Sequence, residues 1–244
     1  MKRLVYLLLF LVLIAGAFFV IDSYVVPLTE KRQQQNGTPT ISSQVIEEET
    51  EVTSIQVEYP ITHNSTVNRI LEAFAREQIE TFKEWAEDVE PLLEGRAYGL
   101  WLQFQTVEGP QNFVSFVFTL SLDTGGAHPN HVIVTKVFDF DTGAELGVSE
   151  VFAEEKLEPL SEFAASELIT LLGATDSNSQ EWIREGSGAE SINFEAFSLN
   201  KDGVAIYYSP YQVAPYALGA QVVLIPYSLA RTAFTESFAN TYSL

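Results

Sequence analysis

Leu4–Ile21 is a run of 18 residues without a single charge, and Lys2 and Arg3 stand directly before it. At 1.5 Å rise per residue a helix of that length covers about 27 Å, close to the thickness of a bilayer's hydrocarbon core. Val25, Val26 and Leu28 extend the apolar contact past Asp22. The run therefore reads as one N-terminal transmembrane helix, with residues 1–28 as a membrane anchor. A cleaved signal peptide is the rival reading, because Ala15-Gly16-Ala17 has the small-x-small form of a cleavage site. Cleavage there leaves Phe18-Phe19-Val20-Ile21 as an apolar new terminus, which favours the uncleaved anchor. Both readings send the remaining chain out of the cytoplasm. With only Met1, Lys2 and Arg3 ahead of the run, the folded mass is expected on the extracytoplasmic side, periplasmic or external.

Residues 29–51 are rich in Gln, Thr, Ser and Glu, with Gly37 and Pro39 interrupting them, and read as a flexible tether. Residues 52–244 are expected to form one folded domain. Within it Ile55, Val57 and Tyr59 alternate with polar neighbours as in a half-buried strand over Thr53–Tyr59. Asn64 or Ser65 then caps a long helix whose apolar stripe holds Val67, Ile70, Leu71, Phe74, Phe82, Ala86 and Val89, ending at Pro91 and Gly95.

Three aromatic and β-branched runs follow: Ala97–Thr106, Asn112–Leu122 and His131–Phe140. In the middle run Val114, Phe116, Phe118 and Leu120 share one face, the expected core face. A second helix is expected over Glu154–Leu172, with Leu157, Leu160, Phe163, Ala164, Leu168 and Leu171 on one side. A short amphipathic piece around Trp182, strands at Val204–Tyr208 and Gln221–Leu224, and a last helix from Tyr227 complete the chain. Strands and helices in this order, without regular βαβ alternation, predict an α+β fold: an antiparallel sheet packed by two main helices.

The charge narrows the function. Thirty-three acids against 13 bases give a net charge of −20, which repels nucleic acid and anionic lipid and either attracts a cationic protein or a divalent ion or simply keeps the protein soluble. The absence of cysteine excludes disulfides and thiolate metal sites.

Three stretches hold residue types that carry chemistry. Gly125-Gly126-Ala127-His128-Pro129-Asn130-His131 places two histidines beside a flexible loop, as for a zinc ligand pair or an acid-base site, or as an unusual turn. Asp139-Phe140-Asp141-Thr142-Gly143 opens like a calcium loop, but Ala144 stands where the sixth-position glycine is required, and a turn explains it without an ion. Ser209–Gly219 sets Tyr211 and Tyr216 between and beside Pro210 and Pro215, a rigid amphipathic surface suited to recognition or to covering its own sheet. No nucleophile elbow, phosphate-binding loop or nucleotide fingerprint is present.

Taken in order, these blocks resemble a known family. Thr124–Asn130, Phe138–Gly143, Val151-Phe152, Asn193-Phe194, Asp202-Gly203, Tyr208, Pro210–Ala217 and Ile225-Pro226-Tyr227 are similar to the domain of unknown function shared by RsiV-type anti-sigma factors and PdaC-type peptidoglycan deacetylases. The resemblance spans about residues 51–235. It implies an extracytoplasmic module, which in RsiV-type proteins senses lysozyme and in PdaC-type proteins accompanies a separate catalytic domain. Anti-sigma and deacetylase activity are not expected to carry over, since this chain shows neither a sigma-binding segment before the apolar run nor a deacetylase domain after residue 235.

The resulting expectation is a membrane-anchored, non-catalytic binding or sensing module of the cell envelope, without metal or cofactor. Its ligand would be a cell-wall fragment or a cationic envelope protein such as lysozyme, held by Gly125, Gly126, His128, Tyr211, Gln212 and Tyr216. The alternative is an enzyme acting on cell-wall glycan through His128 and nearby carboxylates.

Overall fold

A computed structural model describes residues 41–90, 92 and 96–243. The anchor reading of Leu4–Ile21 and the first part of the tether lie outside the described residues. Among the described residues no helix is long and apolar enough to cross a membrane.

The fold is α+β, with a six-stranded sheet and a separate three-stranded sheet. The large sheet runs in sequence order: β1 (Ser42–Glu49), β2 (Thr53–Ile61), β3 (Tyr98–Glu108), β4 (Phe113–Asp123), β5 (Asn130–Asp139) and β6 (Ala144–Glu145). The expectation of antiparallel pairing holds for most neighbours, but β2 and β3 are parallel. Parallel neighbours need a crossover, and α1 (Ser65–Glu87) supplies it. Asn64 caps that helix: its side-chain oxygen accepts from the N–H groups of Thr66 and Val67.

β1 corrects the tether reading, since Ser42–Glu49 pairs along its whole length with β2. Its sequence, SSQVIEEE, looks like a linker because an edge strand with two accessible faces needs few apolar residues. Ile46 packs against the core beneath α1, and Lys83 of α1 reaches Glu48 at 2.6 Å.

Val114, Phe116, Phe118 and Leu120 are buried on the α1 side, as their alternation predicts. The same strand also buries Phe113 and Ser115 on its opposite face. That end of the sheet is covered by a second core, which holds Phe113, Val137, α3 (Glu158–Leu171) and the small sheet. Between β6 and α3 lies α2 (Val148–Val151), and α3 is followed by α4 (Ser177–Gly186). The small sheet has the order β7 (Phe197–Leu199), β8 (Gly203–Tyr208), β9 (Gln221–Pro226).

The expected stripe of α3 holds at Leu157, Leu160, Ala164 and Leu168, whereas Leu171 is 65% exposed in the last turn. The last helix is broken: α5 (Tyr227–Ala230) is followed, after a 3-10 turn, by α6 (Glu236–Tyr242).

The small sheet joins the large one along β7, through side chains rather than ladder bonds. Leu199 N–H donates to Ser115 Oγ (3.2 Å), Phe197 N–H to Thr135 Oγ1 (3.0 Å), and Ile133 N–H in β5 to Ser209 Oγ (3.0 Å). Ser115 and Thr135 are thus hydroxyl joints that satisfy strand amides where two sheets meet.

Candidate functional site

Two loops that are distant in sequence converge at this junction. One links β4 to β5 and carries Gly125, Gly126 and His128; the other links β8 to β9 and carries Tyr211, Gln212 and Tyr216. The ring of Tyr216 is their meeting point. Ring centroids lie 4.3 Å from it at His128, 5.4 Å at Tyr211 and 5.9 Å at His131, with interplanar angles of 31°, 34° and 19°.

Hydrogen bonds fix the stack. The Tyr216 hydroxyl donates to the carbonyl of Pro129 at 2.7 Å, and His128 Nδ1 lies 2.8 Å from the same oxygen. A carbonyl only accepts, so Nδ1 of His128 carries the hydrogen. His131 Nδ1 meets Ser121 Oγ at 2.7 Å across the β4–β5 pair. Burial, and then the neighbouring His128, push the His131 imidazole below its ordinary pKa, so it is neutral at pH 7. Burial also raises the hydroxyls of Tyr211 and Tyr216, the latter further through Tyr211.

Each expected residue has a distinct place. Gly125 shapes the turn: its φ is +83°, its N–H donates to Asp123 Oδ1 (2.9 Å), and a Cβ there would sit 2.4 Å from Leu92. Gly126 is exposed. Gln212 pins its loop, with Oε1 accepting from Ser209 N–H (3.1 Å) and Nε2 donating to Gly186 O (3.1 Å). Tyr211 has φ +72°, a left-handed conformation rare for an aromatic residue. Its N–H donates to Ala214 O (3.1 Å), its carbonyl accepts from Trp182 Nε1 (3.0 Å), and its buried hydroxyl has no hydrogen-bond partner among the described residues.

The structure therefore brings together His128, Tyr211 and Tyr216, and leaves Gly125 and Gln212 as the supports that hold their loops. His131 and Trp182 complete the cluster and are absent from the expected set. For His131 strand alternation signalled a face but not a partner, since its place opposite Ser121 is set by the β4–β5 register. Nothing near Trp182 in sequence pointed to a contact with Tyr211.

The Asp139 loop is held by the protein itself. Asp139 is 4% exposed, and its carboxylate accepts from Asp141 N–H (2.9 Å), Thr142 Oγ1 (2.9 Å) and the Tyr242 hydroxyl (2.9 Å). It is a turn anchor that also docks α6. Among the described residues no group of three or more His, Asp or Glu is arranged to hold a metal ion.

Among the described residues, shallow open grooves also lie elsewhere. One of about 440 Å³ is lined by Thr106, Glu108, Asn200, Lys201, Asp202 and Leu224. Another, about 460 Å³, lies between Ser149–Lys156 and Thr235-Glu236.

Residues 149–228 match the family described as "Protein of unknown function (DUF3298)". The matched part holds Tyr211, Gln212 and Tyr216, and the histidine loop precedes it. The chain is 28% identical over 188 residues to the peptidoglycan-N-acetylmuramic acid deacetylase PdaC of Bacillus subtilis, covering 75% of this chain and 39% of that protein. It is 24% identical over 126 residues to the immunogenic protein MPT64 of Mycobacterium tuberculosis, covering 51% of this chain and 54% of that one. The chain thus spans between two fifths and about half of the length of these relatives.

Two crystal structures share the fold. A DUF3298 family member from Bacteroides fragilis matches with a TM-score of 0.57 at 16% identity, covering 86% of this chain and 100% of the other. A DUF3298 family protein from Pseudomonas aeruginosa matches with a TM-score of 0.59 at 16% identity, covering 82% and 94%.

Proposed function

We propose that this chain, whose residues 149–228 match the DUF3298 family and which is similar to PdaC over 188 residues, is a non-catalytic binding module of the cell envelope. Its ligand in this reading is a cell-wall fragment, and its contact surface is formed by the half-buried rings of His128, His131 and Tyr211 packed around the buried Tyr216. The observation that carries the proposal is the convergence of three rings onto Tyr216: His128 from the β4–β5 loop, His131 from the start of β5 and Tyr211 from the β8–β9 loop. Rigid rings with polar tips give contact area at low entropic cost. The strained backbone of Tyr211 adds support, because a left-handed aromatic residue costs on the order of 1–3 kcal/mol and persists only where its surroundings hold it.

Membrane anchoring through residues 1–28 belongs to the same proposal and follows from the apolar run.

A second reading, a cationic envelope protein such as lysozyme as the partner, is favoured by the net charge of −20. Calorimetric titration of the full chain with soluble peptidoglycan fragments and with lysozyme, at low and moderate salt, separates the two. Saturable, salt-insensitive binding of fragments without product supports the glycan reading. Salt-weakened binding of lysozyme alone supports the second. Released product transfers the role to the enzyme alternative, and silence with both ligands removes the proposal.

A further inference from the structure

One face of the six-stranded sheet is covered by α1, but among the described residues the opposite face is covered only at one end. Phe113, Ser115 and Val137 lie beneath the second core, and β7 marks its border at Ser115 and Thr135. Further along the same strands the face is open. There Gln56, Gln103 and Gln105 are exposed, while Trp101, Thr119 and Ser121 are half-buried.

The register places these side chains in rows that cross the strands. Gln56 lies opposite Trp101, Trp101 opposite Ser121, and Ser121 opposite His131. The next row pairs Gln103 with Thr119 and Ile133. The first row runs straight into the ring cluster, since Ser121 Oγ meets His131 Nδ1 at 2.7 Å and His131 stacks on Tyr216.

Trp101 is the centre of the surface. The six-membered ring of its indole fills the space a side chain would take at position 99, where a Cβ would meet Trp101 at 2.0 Å. Gly99 therefore lets the indole lie along the sheet instead of standing on it. The result is an aromatic platform flanked by carboxamides and hydroxyls.

From this surface we infer that a neutral, N-acetylated oligosaccharide lies across the open face, over Trp101 and towards His131. The inference deepens the cell-wall reading proposed above and rests on it. Charge fits this occupant: Trp101, Gln103, Thr119, Ser121 and Ile133 carry none and His131 is neutral at pH 7, while the acids Glu47, bonded to Gln56, and Glu58 lie only at the β1–β2 border of the face. An added strand is not what lies on this face, because a strand joins a sheet at its edge and the backbone of β4 is paired on both sides there. What remains is side-chain chemistry, and rings, amides and hydroxyls are the groups that meet sugar C–H faces, acetamides and hydroxyls. From β2 to β5 the row crosses about 14 Å at the usual strand spacing, which suits an oligosaccharide better than one sugar.

The test is calorimetric titration of the full chain with tetra-N-acetylchitotetraose. Trp101→Ala is expected to weaken binding about tenfold or more. Because that change also uncovers Gly99, a second variant is needed: Gln103→Ala alters an exposed side chain and should weaken binding several-fold at unchanged Tm. The inference is overturned if the unaltered chain does not bind the tetrasaccharide, or if both variants bind it as the unaltered chain does. Peptidoglycan fragments serve as the second probe. If they still bind while either of these results holds, this inference fails and the module reading stands; if neither probe binds, both fail.

Discussion

Gly125 and His131 show how single residues set this surface. At Gly125 a Cβ would meet both a positive φ and the side chain of Leu92, so Gly125→Ala is expected to cost about 1–3 kcal/mol. Thermal denaturation would register this as a fall in Tm of several degrees. His131 makes stability depend on pH. Its folded pKa lies below the ordinary 6.5, so the unfolded chain takes up a proton first as the pH falls. The stability present above pH 6.5 is therefore lost as the solution is acidified through the folded pKa. His131→Phe keeps a ring beside Tyr216 and should flatten this part of the Tm–pH profile; an unchanged profile would show that His131 is not the group involved. The readability of these residues follows from locality. His128, Tyr211 and Tyr216 stand out because glycines and prolines surround them. Trp101 does not, because a tryptophan in an apolar strand reads as core until the register sets it opposite Ser121 and its ring over Gly99.

At the scale of elements, β1 and α6 are where sequence and structure part. A polar edge strand has no internal signature, since its pairing is defined by β2 and not by its own composition. A chain that begins at residue 51 lacks β1 and leaves β2 as an open edge. It is expected to show a lower Tm and more aggregation than a chain that begins at residue 41; equal behaviour would show that β1 adds nothing. α6 is held by Tyr242, whose hydroxyl donates to Asp139 and whose pKa is pushed up to about 12 by burial first and then by that carboxylate. Tyr227 is likewise raised to about 12 by burial. Both groups favour the folded state fully below pH 10, and that contribution is lost as the pH rises towards 12. Tyr242→Phe should thus reduce the alkaline sensitivity of Tm between pH 10 and 12 while Tyr227 maintains the rest. The long helix was legible because its apolar stripe and its Asn64 cap are both local, whereas the parallel pairing of β2 and β3 depends on which strands the crossover joins.

At the scale of the molecule, two cores on opposite faces of one sheet explain the location of the candidate surface. The first core needs the whole α1 side, while the second covers only the end of β4 and β5 near Phe113 and Val137. The uncovered remainder adjoins the loops that carry His128 and Tyr216. Composition could not show this arrangement, because β4 alternates cleanly and its second buried face appears only once the small sheet is in place. The matched DUF3298 segment supplies the small sheet and the tyrosine loop, and the preceding residues supply the large sheet and the histidine loop, so the ring cluster exists only in their combination. Amide chemical-shift mapping of the full chain with soluble peptidoglycan fragments tests this most directly. The account predicts saturable shifts in residues 125–133 and 209–219, extending to 99–103 on β3. Shifts confined to the groove between Ser149–Lys156 and Thr235-Glu236, or none at all, would contradict it.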